Sequence, residues 1–424
     1  MVQIQLFGRK FLWTNDILFP GAIWLSSRLL VWIIMLYVAP NLPAPPGGVS
    51  PQFGWEVFNF WDSGHYYNIA TNGYEFANDG GEHNVAFFPL FPLVLRGLMI
   101  LGLRFEIAGM LVNNLSFCLA CYCLYFWIKH HNGTKAAIWT IAVLAWVPAS
   151  MFAGVIYTEG LYLFLSIAAL QAFDRKQYIW TALWGAMATA TRPTGIALVP
   201  TFIITAWKQR KPIGAYFAGF ATAIGLLLYS LYCAIQFGEP LAFIIAQKGW
   251  RDSLGFEWQS WLKMLVQIVA GTSNWKHGSI QDPWHPILFT LIITLGYLLW
   301  RSRSKVGTEK VGSGIIVLTF LLWLLAGDPL VNTMATIGSS YLLWHLRQEL
   351  STITVIYGWC GLGLLFASGS TMSLSRLSYG IVSTSLVLGI LLSRYSRWGY
   401  LSLSFFAIIL ASLSVRFTQQ LWVG

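Results

Sequence analysis

Long apolar runs alternate with short basic connections along almost the whole chain of 424 residues. Crossing a bilayer as a helix takes about 17 to 25 apolar residues. The first such run is 17–39, and further spans are expected near 107–128, 136–155, 158–173, 178–192, 195–207, 213–237, 285–300, 311–326, 330–345, 352–368, 378–393 and 399–416. The first run is too long for the core of a signal peptide and lacks a small-residue cleavage site, so it reads as a retained anchor. Pro40-Asn41-Leu42-Pro43-Ala44-Pro45-Pro46 ends it, because proline cannot continue a helix. Several later runs are shorter than a full crossing. Around Thr191-Arg192-Pro193-Thr194-Gly195 the Pro and Gly break an apolar stretch, which predicts two short or tilted segments meeting at Arg192.

Composition turns this pattern into a fold class. The chain is 56% hydrophobic and 10% charged, far from the balance of soluble domains. The expectation is an all-α integral membrane protein: a polytopic helical bundle of about 10–13 spans forming a single integral domain over residues 1–424, with no soluble domain. The net charge of +10 could suggest nucleic acid, but the basic residues are scattered between apolar runs, so none is expected as a partner. Arg9/Lys10, Lys129/Lys135, Arg175/Lys176, Lys208/Arg210/Lys211, Arg301/Arg303/Lys305/Lys310, Arg347 and Arg394/Arg397, counted with Arg28, hold most of the 26 Lys and Arg. By the positive-inside rule their side is cytoplasmic. Residues 40–105 then form a large first extracytoplasmic loop and 238–284 a second. Within the first, Leu93–Leu103 is apolar but short and carries Arg96, which predicts a helix lying at the interface.

Charge is scarce, so its placement is informative. The first loop gathers Asp62, Glu75, Asp79, Glu82 and His83. Asp62 opens a stretch, Ser63 to Asn72, that can form a short helix closed by Gly73. Two readings of Asp62 stand side by side: a helix N-cap accepting amide hydrogen bonds, worth about 1 kcal/mol, and a general base for a hydroxyl attacking a sugar carbon. His65 and Tyr66 share its helical face. Glu159 begins a span, where the helix dipole favours a carboxylate. Arg192 and Arg376 interrupt apolar stretches, and charges there are costly unless paired or functional. Their guanidinium forks suit a phosphate; an ion pair with Glu159 or snorkelling to the interface is the competing reading. Phe87-Phe88-Pro89-Leu90-Phe91-Pro92 reads either as a proline-stiffened turn resting on the membrane or as a groove for a lipid tail.

Cys118, Cys121, Cys123, Cys233 and Cys360 fall inside apolar runs without His or acidic partners and read as small hydrophobes. No metal site and no cofactor is expected from spacing, although a lone divalent cation shared by Asp62 and a phosphate stays open.

Trp61-Asp62-Ser63-x-His65-Tyr66, Ile69-Ala70-x-x-Gly73-Tyr74 and Ala86-Phe87-Phe88-Pro89-Leu90-Phe91-Pro92 resemble the PIG-V-like mannosyltransferases, the family of the second mannosyltransferase of GPI-anchor synthesis and its bacterial relatives. Tyr157-Thr158-Glu159, Thr191-Arg192-Pro193-Thr194-Gly195, Phe237-Gly238-Glu239-Pro240 with Gln247 and Trp250, and Arg376 follow in the order the family shows; Ser375-Arg376-Leu377 departs from its Arg-Tyr pair. The resemblance implies the GT-C fold and an inverting glycosyltransferase that moves a sugar from a polyprenyl- or dolichyl-phosphate donor to a lipid-linked or glycan acceptor at the extracytoplasmic face. It implies Asp62 as the acidic catalytic residue and His65, Tyr66, Glu159, Arg192, Gln247, Trp250 and Arg376 as substrate contacts. Asn132-Gly133-Thr134 falls in an expected cytoplasmic connection and Asn114-Leu115-Ser116 in a span, so neither marks a glycosylated lumenal surface. The bacterial plasma membrane is the favoured location, with the endoplasmic reticulum membrane if the source is eukaryotic. A transporter or flippase of lipid-linked sugars is the alternative; it predicts inverted repeats and midplane charges, which the sequence does not display. A non-catalytic scaffold would not need Asp, His and Arg at one face.

Overall fold

The computed structural model describes residues 4–6, 9–11, 15–251 and 255–423. The side chains of Arg9 and Lys10, and residues 252–254 of the second expected loop, lie outside the described residues. Apart from a short antiparallel hairpin, Ile4–Leu6 with Arg9–Phe11, the described chain is helical. Helix α1 (Asn15–Ile33) runs on through a π turn and a 3-10 turn to Asn41, where the prolines stop it. α2 (Asp62–Asn72) and α3 (Leu90–Ile100) follow in the first loop. α2 closes at Gly73 as the sequence predicts, with φ +90° and its N–H bonded to the Ile69 carbonyl.

α4 (Phe105–Trp146) is two helices joined at Gly133, whose φ of +83° puts a sharp break in the basic connection where the sequence separates two spans. The second half ends at Trp146, earlier than the span 136–155 predicts, because Val147 takes an extended conformation before Pro148. A 3-10 turn (Pro148–Gly154) then leads into α5 (Glu159–Asp174), and the two meet at a bend of 100°. α6 (Tyr178–Thr189), a 3-10 turn (Pro193–Ala197) and α7 (Leu198–Lys208) are the two short segments expected to meet at Arg192. α8 (Ile213–Ala221) and α9 (Ile224–Phe237) complete the first half.

α5 is buried on almost every side, which fits its apolar composition all round. It approaches α4 so closely that a Cβ on Gly160 would stand 2.2 Å from the Asn113 carbonyl oxygen. The Gly160 N–H donates to Asn113 Oδ1 at 2.7 Å, and Asn113 Nδ2 in turn donates to the carbonyls of Phe152 and Val155. One side chain thereby fixes both arms of the bend. Among the described residues five helices are long and apolar enough to cross a membrane alone, or six with the bent pair, and the shorter apolar helices include Thr352–Phe366 and Val382–Arg394. The chain is a multi-pass membrane protein.

Two sequence readings are corrected here. Arg28, counted as a cytoplasmic topology signal, is fully buried: its guanidinium donates to the Ser150 and Ala145 carbonyls and to Ser150 Oγ, and it lies over the Phe117 ring. Charge patterning along a sequence carries no depth, and this cation serves the polar end of α4. The Phe87–Pro92 stretch does not rest on the membrane as a surface turn. Phe88 and Phe91 are buried, Phe88 against Tyr229 and Phe243 and Phe91 against Tyr66.

Candidate active site

Four charged side chains from distant segments meet beside the bend. Asp62 begins α2, Glu159 begins α5, Arg192 lies between α6 and the turn before α7, and Arg376 sits in the short helix Leu374–Tyr379. Arg376 Nη1 lies 2.7 Å from Asp62 Oδ2, and its Nε donates to Glu159 Oε1 at 2.6 Å. The same Glu159 oxygen is 2.6 Å from Arg192 Nη1, in ion-pair range but out of line for a hydrogen bond. Glu159 Oε2 is buried with no hydrogen-bond partner. Two carboxylates and two guanidinium groups leave the cluster neutral, so each charge withdrawn from water has a partner.

Burial grades across the cluster. The Glu159 side chain is 0% exposed, Arg192 10%, Arg376 13% and Asp62 30%, so Asp62 is the open edge. Beneath Arg376 lie the rings of Phe152 and Tyr157, 4.9 and 4.4 Å from the guanidinium carbon and stacked on one another. The Tyr157 hydroxyl accepts the Asp62 amide hydrogen at 3.3 Å. Arg192 lies over the Tyr162 ring. The Arg376 helix is anchored by Asn332, which accepts the Ser375 amide and donates to the Thr371 carbonyl.

The N-cap reading of Asp62 is overturned. Asp62 is the first residue inside the helix, the N-cap position belongs to Trp61, and no side chain caps the helix. The carboxylate instead pairs with the Arg376 guanidinium, Oδ2 lying 2.7 Å from Nη1. Trp61 holds φ +60° and ψ −124°, a conformation that costs a non-glycine residue about 1–3 kcal/mol and persists only where its surroundings enforce it. For Arg192 and Arg376, the geometry places both on Glu159, the ion-pair arrangement the sequence set against phosphate binding.

His65 and Trp250 come together with Phe87. His65 stacks on Phe87 at 4.5 Å and meets Trp250 edge-on at 5.8 Å, while Trp250 meets Phe87 at 5.7 Å. Tyr66 packs between Phe87 and Phe91, and burial, followed by the Asp62 charge, pushes its phenol up, so the hydroxyl stays a donor. Gln247 lies in the turn Ala246–Gly249, where its backbone carbonyl accepts the Trp250 amide; its side chain takes no part in the ion cluster. Gly249 packs on the Gly81 carbonyl, which joins the second loop to the first. The sequence reading missed Phe152, which carries no polar signal. It named Tyr157 only as part of a motif. Among the described residues no three His, Cys, Asp or Glu side chains gather as a metal-binding set.

Fold and site together define a multi-pass helical membrane protein with a partly open, ion-paired polar centre at the ends of its helices. The family model described as "Mannosyltransferase (PIG-V)" matches residues 43–211, which carry Asp62, Glu159 and Arg192. The GPI mannosyltransferase 2 of Cryptococcus neoformans var. neoformans strain B-3501A is 31% identical over 316 residues, covering 58% of this chain and 73% of the relative. The chain belongs to the PIG-V mannosyltransferase family. The GPI alpha-1,6-mannosyltransferase 2 of Homo sapiens is 26% identical over 264 residues, 52% of this chain and 51% of that protein, so the chain spans about half the length of the mammalian relatives it matches. Among solved structures, the oligosaccharyltransferase AglB of Archaeoglobus fulgidus with an inhibitory peptide and a dolichol-phosphate aligns with a TM-score of 0.47 at 12% identity, covering 93% of this chain and 56% of that one. ArnT from Cupriavidus metallidurans bound to undecaprenyl phosphate aligns with a TM-score of 0.40 at 13% identity, covering 93% and 77%.

Proposed function

We propose that this protein is an inverting mannosyltransferase that moves a sugar from a polyprenyl- or dolichyl-phosphate donor to a lipid-linked or glycan acceptor at the extracytoplasmic membrane face. The observation that carries the reading is the juxtaposition of a partly exposed carboxylate, Asp62, with two arginines, Arg376 and Arg192, in a family of mannosyltransferases. Asp62 takes the proton of the acceptor hydroxyl, whose oxygen attacks the anomeric carbon. The bond from that carbon to the phosphate breaks on the opposite face, and the phosphate leaves with the electron pair, stabilised by Arg376 and Arg192. One carboxylate suffices, since phosphate departs without a general acid. His65, Phe87 and Trp250 offer ring faces to the sugar or the first lipid unit, while the wholly buried Glu159 holds Arg376 and Arg192 in place.

The sidedness follows from the basic connections, which place residues 40–105 and 238–284 outside the cytoplasm. Residues 1–424 act in this reading as one integral domain. The test is transfer by the purified protein from a radiolabelled polyprenyl-phosphate mannose to a membrane lipid extract, with the anomeric configuration of the product determined. The expected product is a mannosylated lipid or glycan with inverted configuration. Retention of configuration contradicts the single-carboxylate mechanism, and donor translocation without transfer supports the transporter instead.

A further inference from the structure

We infer that in the empty protein Asp62 occupies the place of the donor's phosphate on Arg376, and that donor binding itself releases the catalytic carboxylate. The inference rests on the transferase reading and adds an order of events to it.

The two carboxylates on Arg376 are held very differently. Glu159 is wholly buried at the start of α5, next to Gly160, whose amide is bonded to Asn113 and whose Cα is pressed against α4. It has nowhere to withdraw. Asp62 is the exposed member, its carboxylate caps no helix amide, and among the described residues its one ion pair is with Arg376 Nη1. Of the two, only Asp62 can leave without opening the core. Arg376 in turn stays in place when Asp62 leaves, since its Nε remains bonded to Glu159 and its face remains on Phe152 and Tyr157.

A phosphodiester presents two non-bridging anionic oxygens, as a carboxylate does, and a monoester three, each in a geometry that a guanidinium fork binds bidentately. When it takes the outer edge of Arg376, Oδ2 of Asp62 is freed beside the sugar's anomeric carbon. While the site is empty, that oxygen is engaged by a cation and unavailable to a hydroxyl. Oδ2 therefore becomes available to a hydroxyl only after the leaving group is bound. The sequence is donor first, acceptor second.

The exchange makes an unusual demand: removing the catalytic carboxylate must tighten phosphate binding. The experiment measures binding of a polyprenyl monophosphate to the full chain in lipid nanodiscs for the wild type, Asp62→Asn, Asp62→Ser and Asp79→Asn, with melting temperatures on the same samples. Asp79 is an exposed first-loop acid paired with His83 and serves as the charge control. Both Asp62 variants are expected to bind about tenfold tighter than wild type, the scale of one charged hydrogen bond no longer in competition. Asp79→Asn is expected to match wild type. Unchanged or weaker binding by folded Asp62 variants, with normal binding by wild type, overturns the exchange and leaves the transferase reading standing. Equal tightening by Asp79→Asn reduces the effect to net charge and overturns it too. Failure of wild type to bind the lipid phosphate removes the transferase reading and this inference with it.

Discussion

Arg28 and Arg376 are both cations withdrawn from water inside a membrane protein, and they are satisfied in opposite ways. Arg28 is fully buried and bonded to backbone carbonyls and a serine hydroxyl, groups fixed by the end of α4 and the turn that follows. Arg376 is held by two carboxylates, one of them 30% exposed. Fixed dipoles cannot be exchanged without unfolding the helix end that carries them, whereas a side-chain anion at an open edge can be replaced by another anion. The first arrangement builds structure. The second leaves a cation that is stable when empty and ready for a ligand. The two are linked, because the turn Arg28 secures carries Phe152, one of the rings under Arg376.

The largest stability effect is expected at Arg28. Arg28→Ala leaves the Ser150 carbonyl without its donor and opens a cavity, and it should lower stability by about 2–4 kcal/mol, read from thermal or denaturant unfolding in detergent. Unchanged stability would break the distinction by showing that the buried cation is dispensable. Next in size, Arg376→Ala and Arg192→Ala should each weaken donor binding by about 1.5–3 kcal/mol, the scale of a charged hydrogen bond, measured by equilibrium binding of the lipid-phosphate sugar. Loss of the fold with donor affinity intact in the folded fraction would place Arg376 in the same class as Arg28. With no energetic effect expected, thiol labelling sharpens the picture by giving the centre a side. Asp79→Cys should react with an impermeant reagent in intact cells and Lys305→Cys should not. The reverse pattern would remove the basis for an extracytoplasmic site.

How much of this could be read in the sequence depended on the kind of signal each residue gives. Asp62, Glu159, Arg192 and Arg376 stood out because charge is rare in an apolar chain and costly in the membrane. The short helix after Asp62 and the paired short helices about Arg192 are legible from Gly and Pro, and the separation of the two halves of α4 from the basic connection at Lys129 and Lys135. Which charges meet was not fixed by spacing, since Arg376 and Glu159 are 217 positions apart and only the packed bundle joins them. An ion pair and a phosphate site fit the pattern around the arginines equally well, and nothing in it chooses between them. The N-cap reading of Asp62 failed because local sequence shows the competing amides but not the distant guanidinium. The burial of Arg28 is not legible, because a lone Arg in an apolar run looks the same whether it snorkels or is buried. Phe152 and the strained Trp61 gave no signal, as their roles arise from where the turn and the loop are carried by their neighbours.

The central claim is that the Asp62 carboxylate, released from Arg376, performs the proton transfer of a lipid-phosphate-dependent glycosyl transfer. Its most direct test is turnover by purified wild type and Asp62→Asn with a polyprenyl-phosphate mannose donor, with melting temperature measured on the same samples. Asp62→Asn keeps the size of the side chain and an acceptor for Arg376 while removing the base. The account predicts a loss on the order of 10²-fold or more in turnover with melting temperature little changed. Near-wild-type turnover would contradict it, and a parallel loss of activity and stability would make the Asp62–Arg376 contact a structural ion pair.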